Sequence, residues 1–92
     1  MKEIRVVVSG RVQGVGYRYF VRDAALRRNI RGFVKNNPDG TVGIVAAGDR
    51  DRLEQFLEDI RAKGDPVIRT ADISVTWAGE ATQEWQGFEI RR

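Results

Sequence analysis

A glycine-containing loop near the start of the chain has the residue types and spacing of an anion-binding site. It runs from Gly10 to Arg18, between a Val-rich run and a segment with helical periodicity. Unpaired backbone N–H groups and the helix dipole favour an anion at such a position. Gly14 and Gly16 allow the backbone to turn so that successive amides point inward as a nest. Arg18, at the predicted start of the helix, adds a guanidinium fork that suits phosphate.

This loop differs from the two best-known phosphate-binding loops. A Walker A motif requires Gly-Lys-Ser/Thr after its second glycine, where this chain has Val-Gly-Tyr after Gly14. A dinucleotide-binding fingerprint that begins at Gly14 requires a third glycine where Tyr19 stands. From spacing alone, the loop fits a site for a small dianion and equally a strand-to-helix turn with a solvated Arg18.

The absence of two residue types excludes several kinds of chemistry. The chain contains no Cys and no His, which excludes disulfides, thiolate nucleophiles, Ser-His-Asp triads and metal sites built on these residues. Any catalysis must therefore use Arg, Asn, carboxylates, hydroxyls or the backbone. The formal net charge of +3 is mild for a dedicated nucleic-acid-binding protein.

Length and composition predict a single domain over residues 1–92. Hydrophobic residues make up 41% and charged residues 32% of the chain, as in folded globular proteins. No apolar run approaches the roughly 18 residues of a membrane-spanning helix, and the N-terminal segment lacks the pattern of a signal peptide. We therefore expect a cytoplasmic, monomeric protein without a membrane partner.

Hydrophobic periodicity predicts alternating strands and helices. The predicted strands are Ile4 to Ser9, Gly32 to Asn36, Thr41 to Ala47, Ala71 to Trp77 and Trp85 to Arg91. The predicted helices run from Arg18 to Asn29 and from an Asp49 cap to about Lys63. Right-handed crossovers in both strand–helix–strand units place the helices on one face of a mainly antiparallel sheet. The predicted fold class is α+β, a ferredoxin-like βαββαβ sandwich with an extra C-terminal strand.

Other polar and aromatic residues are predicted to have structural roles. We expect the carboxylates of the second helix to pair with arginines of the same helix, and Trp77 and Trp85 to pack. Asn37, directly before Pro38, is predicted to be a turn residue. Four arginines on or after the first helix are predicted to be solvated: Arg22, Arg27, Arg28 and Arg31. No residue set has the spacing of a metal site.

Two sequence motifs resemble those of the acylphosphatase family. The first is Val-Gln-Gly-Val-Gly-Tyr-Arg, from Val12 to Arg18. The second is Gly-Phe-Val-Lys-Asn, from Gly32 to Asn36, followed by Gly40, Val42 and Gly48. The spacing between them fits without an insertion, and the resemblance extends over essentially the whole chain. The predicted order of strands and helices agrees with the fold of that family.

The resemblance implies an enzyme, a metal-independent hydrolase without a cofactor. Acylphosphatases hydrolyse the carboxyl–phosphate bond of acyl phosphates to a carboxylate and inorganic phosphate. The implied partners are therefore a small-molecule acyl phosphate and, as product and competitive inhibitor, inorganic phosphate.

The same motifs indicate which residues of this chain correspond to the site residues of the family. They assign phosphate binding to Arg18 and orientation of the attacking water to Asn36. The other implied site residues are the backbone amides of a phosphate cradle and two residues that shape the loop: Val15, Gly16, Tyr17 and Arg18 for the cradle, Gln13 and Gly14 for the loop. At Gly16 many relatives have a larger residue.

Two other functions fit parts of the sequence. RNA-recognition domains share the ferredoxin-like plan, and Arg31 to Phe33 resembles the start of their RNP1 motif. The residues from Val34 to Pro38 do not continue that motif, so we expect no nucleic-acid partner. The other alternative is a catalytically silent acylphosphatase-like domain that binds an anion or a partner protein. The presence of both Arg18 and Asn36 counts against it.

Overall fold

The computed structural model describes residues 1–92. In chain order the elements are β1 Lys2–Arg11, α1 Tyr17–Arg27, β2 Arg31–Asn36, β3 Val42–Gly48, α2 Arg50–Asp59, β4 Arg69–Glu80 and β5 Phe88–Arg91. This order of strands and helices is the predicted one, including the additional strand at the C-terminal end.

All five strands form one sheet in the order β4-β1-β3-β2-β5. Strand β1 pairs antiparallel with β3 and β4, and β3 pairs antiparallel with β2. The two strands joined through each helix are therefore parallel with one strand between them, as in a ferredoxin-like fold. Only β5 pairs in parallel with its neighbour, β2. The predicted α+β, ferredoxin-like fold with a mainly antiparallel sheet is confirmed.

The hydrophobic core lies between the sheet and the two helices. Strand β1 alternates as this arrangement requires, because Ile4, Val6 and Val8 are buried whereas Arg5 and Val7 are exposed. The helices bury apolar residues against the same face: Val21, Ala24 and Ala25 from α1, and Leu53 and Phe56 from α2. Burial of each Val or Ile side chain contributes about 1.5–3 kcal/mol, which holds both helices on this face.

Helix α2 ends earlier than predicted. It stops at Asp59 instead of continuing to about Lys63. Ala62 has a left-handed backbone with a φ of 54°, and its N–H donates to the Asp59 carbonyl at 3.1 Å. The chain therefore tightens and leaves the helix before Gly64. Asp49 does lie at the N-cap position, but its side chain makes no capping hydrogen bond, so that part of the prediction is wrong.

The last strand also begins later than predicted, because Trp85 packs against side chains of the sheet instead of pairing within it. Its indole N–H donates to Glu3 Oε1 at 3.1 Å. Its ring packs against Phe33 with 5.6 Å between the ring centroids. Gly87 then turns the chain with a φ of 77°, and β5 starts at Phe88. The prediction that Trp85 packs is confirmed, whereas its assignment to a strand is wrong.

Some predicted side-chain roles on the helices differ from those observed. Arg50 pairs with Glu54 within α2 at 3.4 Å, as predicted. Asp59, however, pairs with Arg28 of α1 through Nε–Oδ2 at 2.9 Å and Nη2–Oδ1 at 3.2 Å. These hydrogen bonds from Arg28 hold the pKa of the Asp59 carboxyl below its ordinary value. Trp77, predicted to pack, is 39% exposed, and the Arg50 guanidinium lies 4.9 Å from its ring centroid.

The chain direction decides which loops meet. Strands β1 and β2 run parallel on either side of β3, so their C-terminal ends, at Arg11 and Asn36, lie at the same end of the sheet. Helix α1 begins shortly after the first of these ends, at Tyr17. Strand β5 finishes at this end too, because Lys35 pairs with Arg91. The β1–α1 loop, the start of α1 and the ends of β2 and β5 therefore surround one region.

Candidate functional site

The loop between β1 and α1 has the backbone conformation that its glycines were predicted to allow. Gly14 and Gly16 have φ angles of 74° and 79°, in the left-handed region. A Cβ atom at either position would have no neighbour within 4 Å, so glycine is favoured by the backbone conformation and not by lack of space. Left-handed residues separated by one residue turn successive N–H groups towards one side of the chain.

Four backbone amides at this point have no hydrogen-bond partner within the protein. They belong to Val15, Gly16, Tyr17 and Arg18, and none of their N–H groups donates to a backbone or side-chain acceptor. The first N–H to enter the helical pattern is that of Phe20, which donates to the Gly16 carbonyl at 3.1 Å. Gly16 is the N-cap and has no side chain that could accept from them. Free amides at the positive end of a helix attract an anion.

Gln13 ties this loop to the end of β2. Its Nε2 donates to the carbonyls of Asn37 and Thr41, each at 2.8 Å. Asn37 itself donates from Nδ2 to Thr41 Oγ1 at 3.0 Å, so it holds the β2–β3 turn together, as predicted for a turn residue. Because Asn36 is the residue directly before this turn, the two hydrogen bonds of Gln13 fix the loop relative to Asn36.

Tyr17 anchors the start of α1 in the core. Its side chain is 1% exposed, and its hydroxyl donates to the carbonyl of Ile60 at 2.6 Å. Burial raises the pKa of this phenol above its ordinary value, so the hydroxyl keeps its proton and remains a donor. Ile60 is the C-cap of α2, and the last carbonyls of a helix have no partner within the helix. One hydrogen bond therefore serves the end of α2 and positions the start of α1.

A cleft of about 740 Å³ opens beside the start of α1, and of the four amide residues only Arg18 lines it. It is lined by Arg18, Tyr19, Arg22, Asn36, Phe88, Ile90 and Arg92. Three of the lining residues are arginines and none is a carboxylate, so the cleft is strongly cationic. The structure thus brings together Arg18 and Asn36, which the sequence motifs place 18 residues apart.

Arg18 and Asn36 differ in how much of their hydrogen-bonding capacity the protein uses. Arg18 is half-buried in the first turn of α1, and its Nη1 donates to the Arg91 carbonyl at 3.2 Å, which leaves its other donors for a ligand. Asn36 is half-buried at the end of β2, and its Oδ1 is buried without a hydrogen-bond partner. Such an atom costs about 1–3 kcal/mol unless a partner binds. Only one other buried side-chain nitrogen or oxygen in the protein lacks a hydrogen-bond partner, Nε of Arg22.

Sequence reasoning missed part of this cleft. Arg22 was predicted to be solvated, yet it lines the cleft and its Nε is buried. Its spacing of four residues from Arg18 was the available signal, because residues i and i+4 share one face of a helix. Phe88, Ile90 and Arg92 carried no signal, since only the pairing of β5 with β2 brings them to the site.

The structure also bears on metal, membrane and RNA alternatives. No group of three or more His, Cys, Asp or Glu side chains is placed to hold a metal ion. Neither helix has the length and apolar character needed to cross a membrane. The ring of Phe33, in the RNP1-like segment, is covered by the Arg91 guanidinium at 4.0 Å and by Trp85. Its face is therefore occupied by the protein's own side chains.

Comparison with known proteins finds relatives that match over the whole fold. The acylphosphatase family pattern matches residues 4–90. The chain is 45% identical to an acylphosphatase of Bacillus licheniformis over 89 residues, which cover 97% of this chain and 93% of that one. It is 46% identical to an acylphosphatase of Methanocella arvoryzae over 91 residues, or 99% and 100% of the two chains. The crystal structure of acylphosphatase from Bacillus subtilis matches with a TM-score of 0.93 and 41% identity, covering 100% of both chains.

Replacing Tyr17 tests the anchor at the start of α1. We expect Tyr17→Phe to lower the free energy of unfolding by about 1–3 kcal/mol, because it leaves the Ile60 carbonyl without its donor. The matched control is Tyr19→Phe, because Tyr19 is 54% exposed. This substitution should change stability by less than about 0.5 kcal/mol. Urea denaturation of both variants measures the difference. Equal stabilities of the two variants would contradict the anchoring role.

Proposed function

This chain belongs to the acylphosphatase family and is an acylphosphatase, and we propose how its residues perform the hydrolysis. The backbone amides of Val15 to Arg18 and the Arg18 guanidinium bind the phosphoryl oxygens of an acyl phosphate. Asn36 orients the water that attacks phosphorus. The observation that carries the proposal is that the Arg18 guanidinium and the Asn36 side chain line one cleft at the start of α1, where four backbone amides have no partner within the protein.

The substrate chemistry suits these residues. An acyl phosphate has a weakly basic carboxylate as its leaving group, so departure of that group requires no strong general acid. A chain without His or Cys can therefore catalyse the reaction. Phosphoryl transfer depends chiefly on positioning and on stabilising the negative charge of the phosphoryl oxygens. Asn36 positions the attacking water, and Arg18 and the amides stabilise the negative charge.

The hydrolytic step is an in-line displacement at phosphorus. The water oxygen attacks opposite the acyl oxygen, and a new P–O bond forms as the bond to the acyl oxygen breaks. The electron pair of the broken bond leaves with the carboxylate. The side-chain amide of Asn36 hydrogen-bonds the water and so aligns its oxygen with phosphorus. The water proton passes to a phosphoryl oxygen of the substrate, since no Asp, Glu, His or Cys lines the cleft.

We extend the proposal to the state of the protein. Residues 1–92 act as one domain, which the family match over residues 4–90 supports. The enzyme works as a cytoplasmic monomer, without a metal or cofactor. Inorganic phosphate is both product and competitive inhibitor, because it presents the same oxygens to Arg18 and the amides as the phosphoryl group of the substrate does.

Hydrolysis of benzoyl phosphate in the presence of EDTA tests the proposed function. We expect the wild-type protein to release phosphate under these conditions and Arg18→Ala to lose nearly all turnover, because the main charge on the phosphoryl oxygens is removed. Circular dichroism of the variant checks that it is folded. A folded wild-type protein without turnover would favour the alternative of a silent anion-binding domain, and dependence on a metal would contradict the metal-free mechanism.

Arg18→Lys separates the shape of the guanidinium from its charge. Lysine keeps the positive charge but cannot make two parallel hydrogen bonds to a phosphoryl group. We expect kcat/KM for benzoyl phosphate to fall by at least about tenfold, which corresponds to about 1.4 kcal/mol, the lower end of the effect of a charge-assisted hydrogen bond. The matched control is Arg27→Lys, on the exposed face of α1. Full activity of Arg18→Lys would contradict its assigned role.

Asn36→Ala separates water orientation from phosphate binding. We expect kcat to fall by about 100-fold or more, because the attacking water loses its acceptor. The inhibition constant of inorganic phosphate should change less than about threefold, since Arg18 and the amides are intact. The turn residue Asn37 supplies the neighbouring control, through Asn37→Ala. A parallel collapse of phosphate inhibition in Asn36→Ala would instead make Asn36 a phosphate ligand.

A further inference from the structure

Arg22 lines the catalytic cleft without a role in the mechanism described above. It lies one helical turn after Arg18 on α1. Its Nε is buried and has no hydrogen-bond partner within the protein. Its Nη2 contacts only the exposed carboxylate of the adjacent Asp23, at 3.4 Å, and its guanidinium lies 5.3 Å from the centre of the Tyr19 ring. Its Nη1 is neither buried nor hydrogen-bonded within the protein, so this part of the guanidinium is open to a ligand in the cleft.

The charge of the cleft exceeds what one phosphoryl group requires. Arg18 and four amides already address that group, yet Arg22 and Arg92 also line the cleft, and no Asp or Glu lies among the lining residues. Guanidinium groups on one wall repel each other unless an anion lies between them. The arrangement thus suits a ligand with a second negative group.

We propose that Arg22, assisted by Arg92, binds a second anionic group on the acyl part of the substrate. This inference rests on the proposed function, because it assumes that Arg18 and the amides hold the phosphoryl group. The preferred substrates are then acyl phosphates whose acyl group ends in a carboxylate or a phosphate. Acyl groups without a negative charge are accepted less well.

The dimensions and lining of the cleft fit such a substrate. Arg22 lies four positions after Arg18 on the helix, an axial distance of about 6 Å, which an acyl chain of a few carbon atoms can bridge. Phe88 and Ile90 line the same cleft and give these carbon atoms an apolar surface. The cleft therefore combines a phosphoryl anchor, an apolar wall and a second cationic position.

A matched pair of substrates tests the proposal. Benzoyl phosphate and 3-carboxybenzoyl phosphate differ by one carboxylate, and the rigid ring prevents that carboxylate from attacking its own acyl phosphate. We expect the wild-type protein to hydrolyse 3-carboxybenzoyl phosphate with a higher kcat/KM than benzoyl phosphate. Arg22→Gln should lower kcat/KM about tenfold more for the carboxylated substrate than for benzoyl phosphate, mainly through KM, because it removes a charge-assisted hydrogen bond.

The control variant is Arg27→Gln, which removes the same charge from an exposed position on the same helix. It should leave the ratio of the two kcat/KM values unchanged. Equal losses on both substrates in Arg22→Gln, or a wild-type protein without preference for the carboxylate, would overturn the role of Arg22. In either case benzoyl phosphate is still hydrolysed, whereas failure of the proposed function would abolish hydrolysis of both substrates by the wild-type protein.

Discussion

The structure depends on holding four backbone N–H groups at the start of α1 without a partner inside the protein. These amides give the loop no internal hydrogen bonds, so the neighbouring residues must fix the loop by other contacts. Gln13 does so with two hydrogen bonds to the β2–β3 turn, and Tyr17 with one to the C-cap of α2. Gly14 and Gly16 supply the left-handed backbone that turns the amides to one side. These contacts hold the loop in this conformation, and such preorganisation is what the proposed charge stabilisation requires.

The topology of the sheet brings the remaining groups to these amides. Because β1 and β2 are parallel neighbours of β3, the loop after one strand lies beside the last residue of the other, Asn36. The additional strand β5 pairs with β2 and completes the cleft with Phe88 and Ile90. In the proposed mechanism, the groups that bind phosphoryl oxygens come from a helix start, and the residue that orients water comes from a strand end. Both lie at the same end of the sheet.

Much of the fold and site could be predicted because the signals are local. The alternation of Ile4, Val6 and Val8 marks a strand with one buried face, and the two motifs locate Arg18 and Asn36 directly. The errors arise where long-range contacts decide. The bond from Trp85 to Glu3 takes the start of the predicted last strand out of the sheet. In the sequence, Arg22 cannot be distinguished from a solvated arginine. Only the fold shows that it lines the cleft and that its Nε is buried.

The most direct test of the preorganised amides is a titration of the ¹⁵N-labelled protein with inorganic phosphate, followed by NMR. We expect saturable shifts that are largest for the backbone amides of Val15, Gly16, Tyr17 and Arg18, because these N–H groups have no internal partner and belong to the proposed cradle. The shifts should disappear in Arg18→Ala at the same phosphate concentrations. Shifts spread over the arginine-rich surface of α1, or no saturable shift in these four amides, would contradict the central role assigned to them.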